Sequence, residues 1–203
     1  MSIVSLSTFK EYLPEVQGTG SDTELQNILD RVESSVAIFL GYPRGDADGS
    51  TSPTLASVSY EFYVDSPFYN NPNALYLPMK PVTAVASWHS DVERLYGSDT
   101  AIAGDQYDLD TVNGRLYLKS TSTATIESGV RANKVVCTAG YSTVPNDLEH
   151  AICVYASMLQ RAKSSQGKEN TTQRDVTVKF SPRTMPQEVK DILNPFRVYQ
   201  RIL

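Results

Sequence analysis

The sequence has 203 residues, of which 40% are hydrophobic, so it is long enough for one large domain or two small ones with a packed core. Its formal net charge of -5 disfavours a protein that coats nucleic acid, because such proteins are usually basic. The two cysteines, Cys137 and Cys153, have no CxxC or Cys/His spacing, which is typical of small buried thiols in a reducing compartment. We see no signal-peptide pattern and no apolar run near the ~20 residues that span a bilayer, so we expect a protein that is made in the cytoplasm, is not exported by a Sec-type route and has no membrane partner.

The N-terminal part of the sequence predicts two helices. An apolar edge over residues 6–13 predicts the first, with Ser7 as its N-cap. The second begins after Ser21, whose S-x-x-E spacing to Glu24 matches a capping box, and ends at Gly41 as a C′ glycine. Apolar side chains recur every three or four residues along one face of this second helix, at Leu25, Ile28, Leu29, Val32, Val36, Phe39 and Leu40.

From residue 56 the apolar period changes from 3.6 to 2, which predicts β-strands. Asn113-Gly114 separates two of them and predicts a tight hairpin with a type I′ turn, in which both positions take positive φ. Short strands with turns between them favour a compact antiparallel sandwich or barrel. The strands are predicted at Val58–Val64, Ala74–Leu77, Val82–Trp88, Tyr107–Asp110, Arg115–Leu118 and Val130–Ala139.

After Gly140 the pattern returns to that of a helix, which continues to about Ala162. Ser142 or Thr143 can cap its N-terminus, and Pro145 suits its first turn, where a missing N–H costs nothing. The β strands therefore end and the third main helix begins at this junction.

The C-terminal part is more irregular. Asp175–Phe180 predicts an extended arm or an edge strand, and Pro186 opens a last short helix that Asn194-Pro195 closes. The final segment, Phe196–Leu203, is both apolar and basic. Large apolar side chains at a terminus lower solubility unless something covers them.

Together these elements predict an α+β protein. We expect a discontinuous helical domain, with three main helices plus a short C-terminal helix, into which an antiparallel β-sandwich or barrel is inserted. The helical domain comprises residues 1–42 and 142–203, including the C-terminal arm and tail, and the inserted β domain comprises residues 56–141.

The sequence contains no constellation typical of catalysis. The two histidines, His89 and His150, fall at no recognised zinc spacing with the cysteines. The segment Asp108–Gly114 fails as a calcium loop because Val112 stands at its fifth position. No nucleotide-binding glycine loop or nucleophile-elbow motif is present. We therefore expect no enzyme, no metal and no cofactor.

Several stretches, in this order, resemble the head–tail connector (adaptor) family of tailed bacteriophages and gene transfer agents (GTAs). The resemblance covers most of the chain and weakens after Lys163. The matching stretches are Leu6–Leu13, Asp22–Pro43, Leu77–Val85, Tyr107–Asp110 with Gly114–Leu118, and Ala139–Leu148.

The resemblance implies a structural protein of the virion, located at the head–tail interface. It would form a ring, usually dodecameric, beneath the portal protein and offer its other face to a tail stopper or tail-completion protein. Genomic DNA would pass through the bore of this ring without sequence-specific binding. The helices would form the wall of the ring, and the β insert would project outward or toward the tail.

The resemblance also gives roles to particular residues. The C-terminal tail would dock on the portal or on a neighbouring subunit through Phe196, Arg197, Val198, Tyr199, Arg201, Ile202 and Leu203. The arm would reach a neighbour through Val176, Val178 and Phe180. Acidic residues on the polar face of the second helix would line the bore and repel DNA phosphates, at Asp22, Glu24, Asp30 and Glu33. Two alternatives stay open: the tail packs on its own domain, and the acidic face is an ordinary solvated one.

A second hypothesis is a β-sandwich that binds carbohydrate or a receptor and is carried on a helical mount. Its aromatic platform would draw on Trp88, Tyr69 or Tyr76. This hypothesis predicts glycan binding by the isolated β block and no ring.

Overall fold

The computed structural model describes residues 3–16, 18–43, 53–66, 73–163, 170–173, 176–179 and 185–198. It confirms an α+β protein with antiparallel sheets. The helices are α1 (Leu6–Glu11), α2 (Asp22–Leu40), α3 (Asn146–Ala162) and α4 (Gln187–Leu193), with short 3₁₀ helices at Ser98–Thr100 and Asn194–Phe196. The strands are β1 (Val58–Ser66), β2 (Ala74–Tyr76), β3 (Val82–Ser90), β4 (Tyr107–Asp110), β5 (Arg115–Leu118), β6 (Gly129–Ala139), β7 (Asn170–Gln173) and β8 (Val176–Lys179).

The chain folds into two compact units. The helical unit comprises Met1–Val36 and Thr143–Arg197, and the β unit comprises Ala37–Ser142 and Val198–Leu203. The domain bounds predicted from the sequence, residues 1–42 with 142–203 and residues 56–141, stay a prediction.

The helical unit buries one apolar stripe from each of its helices. Within it, α3 packs against α1 and against α4. Fully burying a Val, Leu, Ile, Phe or Met side chain stabilises the folded state by about 1.5–3 kcal/mol relative to leaving it exposed. Burial of these stripes therefore stabilises the helical unit. Residues with no exposed surface are Phe9 on α1, Leu25, Leu29, Val32 and Val36 on α2, Leu148, Ala151 and Ile152 on α3, and Val189 and Leu193 on α4.

Two of the predicted helix caps are wrong. The N-cap of α1 is Ser5 rather than Ser7, because the Ser5 hydroxyl oxygen accepts the Thr8 N–H at 3.0 Å. Neither Ser142 nor Thr143 caps α3, whose N-cap is Pro145 and makes no side-chain capping bond. The Pro145 backbone is extended, and its carbonyl accepts the Glu149 N–H at 3.0 Å. The helix begins one residue after Pro145 instead of including it.

The predicted end of α2 at Gly41 is confirmed. Gly41 has a φ of 86°, the left-handed conformation that a side chain would strain. Its N–H donates to the Ile38 carbonyl at 3.1 Å, and the Tyr42 N–H donates to the Ala37 carbonyl at 3.0 Å. These two bonds are those of a Schellman motif, which satisfies the last carbonyls of the helix.

The β unit contains two three-stranded antiparallel sheets, in the orders β1-β6-β3 and β2-β5-β4. β3 lies against β4 and β1 lies against β2, so the two sheets face each other around one core. Trp88 is buried at 1% exposure in this core, and its indole N–H donates to the Asn133 side-chain oxygen at 3.2 Å. All six predicted strands of this unit are present, with ends within two residues of their predicted positions.

The hairpin between β4 and β5 is confirmed, but its predicted turn type is wrong. The strands pair at Asp110 and Arg115, which leaves a four-residue loop in place of a two-residue turn. The Asp110 carboxylate accepts the Val112 and Asn113 N–H groups at 3.2 and 3.1 Å, and of the loop residues only Gly114 has a positive φ, 64°. The side chain of Asp110 therefore shapes this turn, as in an Asx turn.

The predicted arm contains one strand that was expected and one that was missed. β8 lies within the stretch predicted as an extended arm, and it pairs with β7 in a two-stranded antiparallel sheet. The sequence of β7, Asn-Thr-Thr-Gln, contains no large apolar residue and therefore gives no strand signal.

Candidate assembly surfaces

Three of the four acidic residues predicted to line a channel lie on the surface of α2. Asp22 forms an ion pair with Lys10, and Glu24 forms one with Lys163. The hydrogen bond from Lys163 lowers the pKa of Glu24. Asp30 is exposed and accepts a hydrogen bond from the Gln26 side-chain amide at 2.9 Å. Of these three residues, Asp30 is therefore the one for which the described part of the chain shows no ion pair with a lysine or arginine.

Glu33 does not lie on the polar face of α2, so this expectation is wrong. Its side chain is only 8% exposed. One carboxylate oxygen accepts the Ile3 and Val4 N–H groups at 3.1 and 3.0 Å, and the other accepts the Ile3 N–H at 3.1 Å. A buried carboxylate requires such donors, and here it fixes the residues before α1.

The structure describes the first three residues of the predicted docking tail. Phe196 ends a 3₁₀ helix and is half-buried, and Arg197 is exposed. The Val198 N–H donates to the Leu40 carbonyl at 2.8 Å, so the chain is attached to the end of α2 at this point. Tyr199, Arg201, Ile202 and Leu203 lie outside the described residues, as does Phe180 of the arm, whereas Val176 and Val178 belong to β8.

A shallow groove of about 330 Å³ lies between α2 and α3 in the helical unit. Ile28 and Leu159 give it an apolar floor, and Arg31 and the Lys163–Glu24 pair give it a polar rim. Half of its lining residues are charged, which is unlike a site for a small organic ligand.

The most constrained part of the β unit is a loop that the sequence did not single out. Asp91 follows β3 directly, is 7% exposed, and accepts backbone N–H groups from Glu93, Leu95 and Tyr96 at 2.7–2.8 Å. These bonds, with that from Tyr96 first, lower the pKa of Asp91. The loop is therefore held by one buried carboxylate.

The backbone of this loop is strained. Arg94 and Tyr96 have φ values of 63° and 50°, and the neighbouring Arg131 has a φ of 55°. These are the three non-glycine residues with positive φ in the part of the chain that the structure describes. The Tyr96 hydroxyl donates to the Arg131 carbonyl at 2.5 Å, and Asp65 accepts the Arg131 N–H at 2.7 Å. Strain of about 1–3 kcal/mol at each residue persists only where surrounding bonds impose it, and it is concentrated at functional sites.

Cations lie over exposed aromatic rings beside this loop. The Arg131 guanidinium lies 4.3 Å from the centre of the Tyr63 ring. The Lys134 ammonium lies 5.7 and 5.8 Å from the ring centres of Tyr63 and Tyr96, and it also pairs with Glu61 at 3.2 Å. Such stacking restricts the guanidinium to a few orientations, which favours recognition of a carboxylate.

The β unit has two candidate surfaces. The loop surface consists of Val92–Tyr96 with Val130 and Arg131, and the hairpin tip consists of Asp110–Gly114. A sequence signal for the loop surface exists: Val92 and Leu95 are large apolar residues inside a polar turn, Asp91-Val92-Glu93-Arg94-Leu95-Tyr96. Neither residue fits a strand or helix period, and this misfit could have identified them.

The residues considered for chemistry have structural partners. Nδ1 of His89 lies 3.1 Å from the Gly97 carbonyl, and Nδ1 of His150 lies 2.9 Å from the Tyr12 hydroxyl. Burial raises the pKa of the Cys137 and Cys153 thiols to about 12. Within the described ranges there is no group of three or more residues that could hold a metal ion.

Two further features bear on the alternatives. Trp88 is buried, so its ring cannot serve as a platform for a sugar. Tyr76 is 43% exposed, but the Arg115 guanidinium lies 4.8 Å from its ring centre. Tyr69 lies outside the described residues. Among the helices that the structure describes, none has the length and apolar character needed to cross a membrane.

No protein-family model matches the chain, and no curated protein matches it. Its fold is similar to that of chains in solved GTA necks. A chain from the neck of an empty GTA particle, computed with C6 symmetry, matches with a TM-score of 0.59 at 16% identity, over 98% of this chain and 92% of that chain. A chain from the neck of a native GTA particle, computed with C12 symmetry, matches with a TM-score of 0.52 at 16% identity, over 95% and 88%. At this identity the likeness establishes the fold, and at that level it confirms the resemblance found in the sequence.

Proposed function

We propose that this chain is a structural head–tail connector (adaptor) protein of a tailed phage or phage-like particle. It forms a ring, most simply of twelve copies, beneath the portal protein and joins the capsid to the tail through a stopper or tail-completion protein. DNA passes through the ring without sequence-specific contacts. The chain is located in the virion and has no catalytic role.

The observation that best supports this proposal is the match of fold over nearly the whole chain to components of two GTA necks. Both matched chains are also covered over most of their own length, so the likeness is not confined to a common submotif. A ring component needs no reactive site, and the two histidines have structural partners while the two cysteines are buried.

The same proposal assigns roles to three surfaces. The acidic face of α2, reduced to Asp22, Glu24 and Asp30, faces the bore, where carboxylates prevent DNA from adhering. Because Lys10 and Lys163 neutralise two of these groups in the free chain, Asp30 is the strongest candidate. The tail after Val198 docks on the portal or on a neighbour, and the β7–β8 arm contacts an adjacent copy.

Deletion of the gene in the strain that produces the particles tests this function. We expect DNA-filled heads and separate tails, because the head–tail joint is lost while each part assembles on its own. Expression of the full chain from a plasmid should restore joined particles, which electron microscopy of the lysate can count. Joined, DNA-filled particles in the deletion strain would contradict the proposal.

A further inference from the structure

The most exposed apolar side chains of the β unit occur at two places only. In the described residues, the four most exposed large hydrophobic side chains are Leu95 at 77%, Val112 at 71%, Val92 at 56% and Val130 at 53%. Val112 lies at the hairpin tip, and the other three lie on the loop surface. The exposed apolar groups of the loop surface form the kind of cluster that a partner covers, and Val112 is a single exposed apolar side chain of a size to fill part of such a cluster.

The two surfaces lie at opposite ends of strand β3. The Val82 N–H, at the first residue of β3, donates to the Thr111 carbonyl of the hairpin tip at 2.9 Å. Asp91, which holds the loop surface, follows the last residue of β3. The first and last of the nine residues of β3 are eight steps apart, which is about 26 Å at the usual rise of about 3.3 Å per residue.

This placement suits a particular kind of contact between identical chains. A ring requires a heterologous interface, in which each copy uses one surface toward the copy before it and a different surface toward the copy after it. In a ring of many copies each subunit is turned only slightly relative to the next, so the two surfaces must lie on nearly opposite sides.

We propose that the loop surface and the hairpin tip are the two halves of one head-to-tail contact, so that the hairpin tip of one copy docks on the loop surface of the next. This inference rests on the proposed ring and identifies the residues that join its subunits in the β layer. Val112 inserts among Val92, Leu95 and Val130, which form the apolar centre of the contact.

Charged groups at the rim complement each other. On the loop surface Arg94 is exposed, and the Arg131 guanidinium is stacked over Tyr63. On β4, two residues before Asp110, the Asp108 side chain is 72% exposed and lies 3.6 Å from Lys119, which is a loose pairing. Glu93 on the loop surface is also exposed, so Glu93, Arg94 and Arg131 leave this surface with a net charge of +1, opposite in sign to Asp110 of the hairpin tip and to Asp108 beside it. The apolar centre provides most of the affinity.

The loop surface is prepared for binding before the partner arrives. Asp91 fixes the backbone that carries Val92 and Leu95 through three N–H bonds. The conformational entropy of ordering this loop is therefore lost on folding and not on association, which strengthens the contact. This gives the strain at Arg94 and Tyr96 a function.

Cysteine cross-linking in assembled particles tests the contact. The double variant Leu95→Cys/Val112→Cys, treated in purified particles with a short bismaleimide, should give a ladder of covalent multimers of this chain on a denaturing gel. Each single variant should give no ladder, because position 95 meets position 112 and not itself. The native Cys137 and Cys153 are buried and should stay unlabelled.

A control pair distinguishes contact from crowding. Met158→Cys/Val112→Cys uses another side chain exposed at 44%, in the helical unit, and should give no ladder. Particles that contain the double variant without a ladder, or with the same ladder as the control, would overturn the contact and leave the proposed function intact. A product that joins position 95 to itself, or to a chain of another mass, would also overturn it. Absence of the wild-type chain from particles would instead overturn the proposed function, and the contact with it.

A second pair of variants keeps the contact testable if the cysteine variants do not assemble. Leu95→Asp and Val112→Asp place a charge in the apolar centre and should each lower incorporation into particles by about tenfold or more. Thr121→Asp, on an exposed loop, is the matched control and should leave incorporation unchanged. If the two variants show the wild-type unfolding temperature and are incorporated like the control, the contact is wrong.

Discussion

Two buried carboxylates hold segments that lack a strand or helix of their own. Glu33 binds the backbone N–H groups of Ile3 and Val4, before α1, and Asp91 binds three N–H groups of the loop surface. In both cases one side chain accepts hydrogen bonds from several backbone N–H groups. Leaving such groups buried without an acceptor would destabilise the folded state. Both residues are therefore expected to be sensitive to substitution.

For Glu33, the nearly isosteric change to Gln places an amide NH₂ group where a carboxylate oxygen accepts the Ile3 N–H. We expect a loss of about 1–3 kcal/mol in the free energy of unfolding, measured by urea denaturation of the full chain. Asp30→Asn, exposed on the same helix, is the control and should change it by less than about 0.5 kcal/mol. Equal effects of the two variants would show that the Glu33 bonds do not contribute to stability.

For Asp91, the prediction concerns pH. Its folded-state pKa is lowered, so its contribution to stability is present above the ordinary pKa of about 3.9 and is lost as the pH falls through the lowered value. The unfolding temperature of Asp91→Asn should therefore fall below that of the wild type at neutral pH, and the difference should shrink in acid. Glu93→Gln, exposed on the same loop, is the control. A difference between Asp91→Asn and wild type that is independent of pH would contradict this explanation.

At the scale of elements, the junction from β6 to α3 depends on one glycine. Gly140 has a φ of 106°, and its N–H donates to the Pro81 carbonyl at 2.9 Å. A Cβ at this position would meet the carbonyl oxygens of Ala56 and Leu55. The chain can leave β6 in this conformation only because Gly140 has no side chain.

Gly140→Ala should lower the free energy of unfolding by more than about 2 kcal/mol, since it adds left-handed strain and a clash with backbone. Gly104→Ala is the matched control, because a Cβ there meets nothing within 4 Å. It should be neutral or slightly stabilising, as the unfolded chain loses entropy. Thermal unfolding of both variants provides the comparison, and a mild effect at Gly140 would mean that the junction adapts.

Strands and helices are predictable from the sequence where the apolar period repeats. Caps and turns are not predictable where a single side chain determines their geometry. Alternating apolar residues identified β1 and β6 to within two residues, because each exposes one face to the core. The turn at Asn113-Gly114 was predicted with the wrong type, since the Asp110 carboxylate determines its geometry. The apolar periodicity of the sequence predicts where strands and helices lie. Caps and turns depend on hydrogen bonds that any of several neighbouring residues can form.

The candidate surfaces were less predictable than the fold. The sequence places Glu33 on the polar face of α2, because this residue lies off the apolar stripe. In the structure its carboxylate instead accepts backbone N–H groups from residues 3 and 4, about 30 residues away in the sequence. The loop surface likewise joins residues 91–96 to residue 131, which a single sequence does not bring together. Long-range contacts of this kind cannot be derived from periodicity.

At the scale of the whole molecule, the proposed tail can be tested without disturbing the fold. Val198 is attached to Leu40, so truncation after Val198 removes only residues 199–203 and keeps this bond. We expect the truncated chain to unfold at the wild-type temperature but to fail to attach to portal-bearing heads, as measured by co-sedimentation. Normal attachment of the truncated chain would remove the docking role of these five residues.

The central claim is that copies of this chain form the ring that joins head and tail. Cryo-electron microscopy of purified particles at the neck tests it most directly. We expect a ring of density below the portal into which the helical unit and the β unit of this chain fit as separate bodies, with the hairpin tip of each copy against the loop surface of the next. Particles whose neck ring is built from another protein, with this chain absent or located elsewhere on the tail, would contradict it.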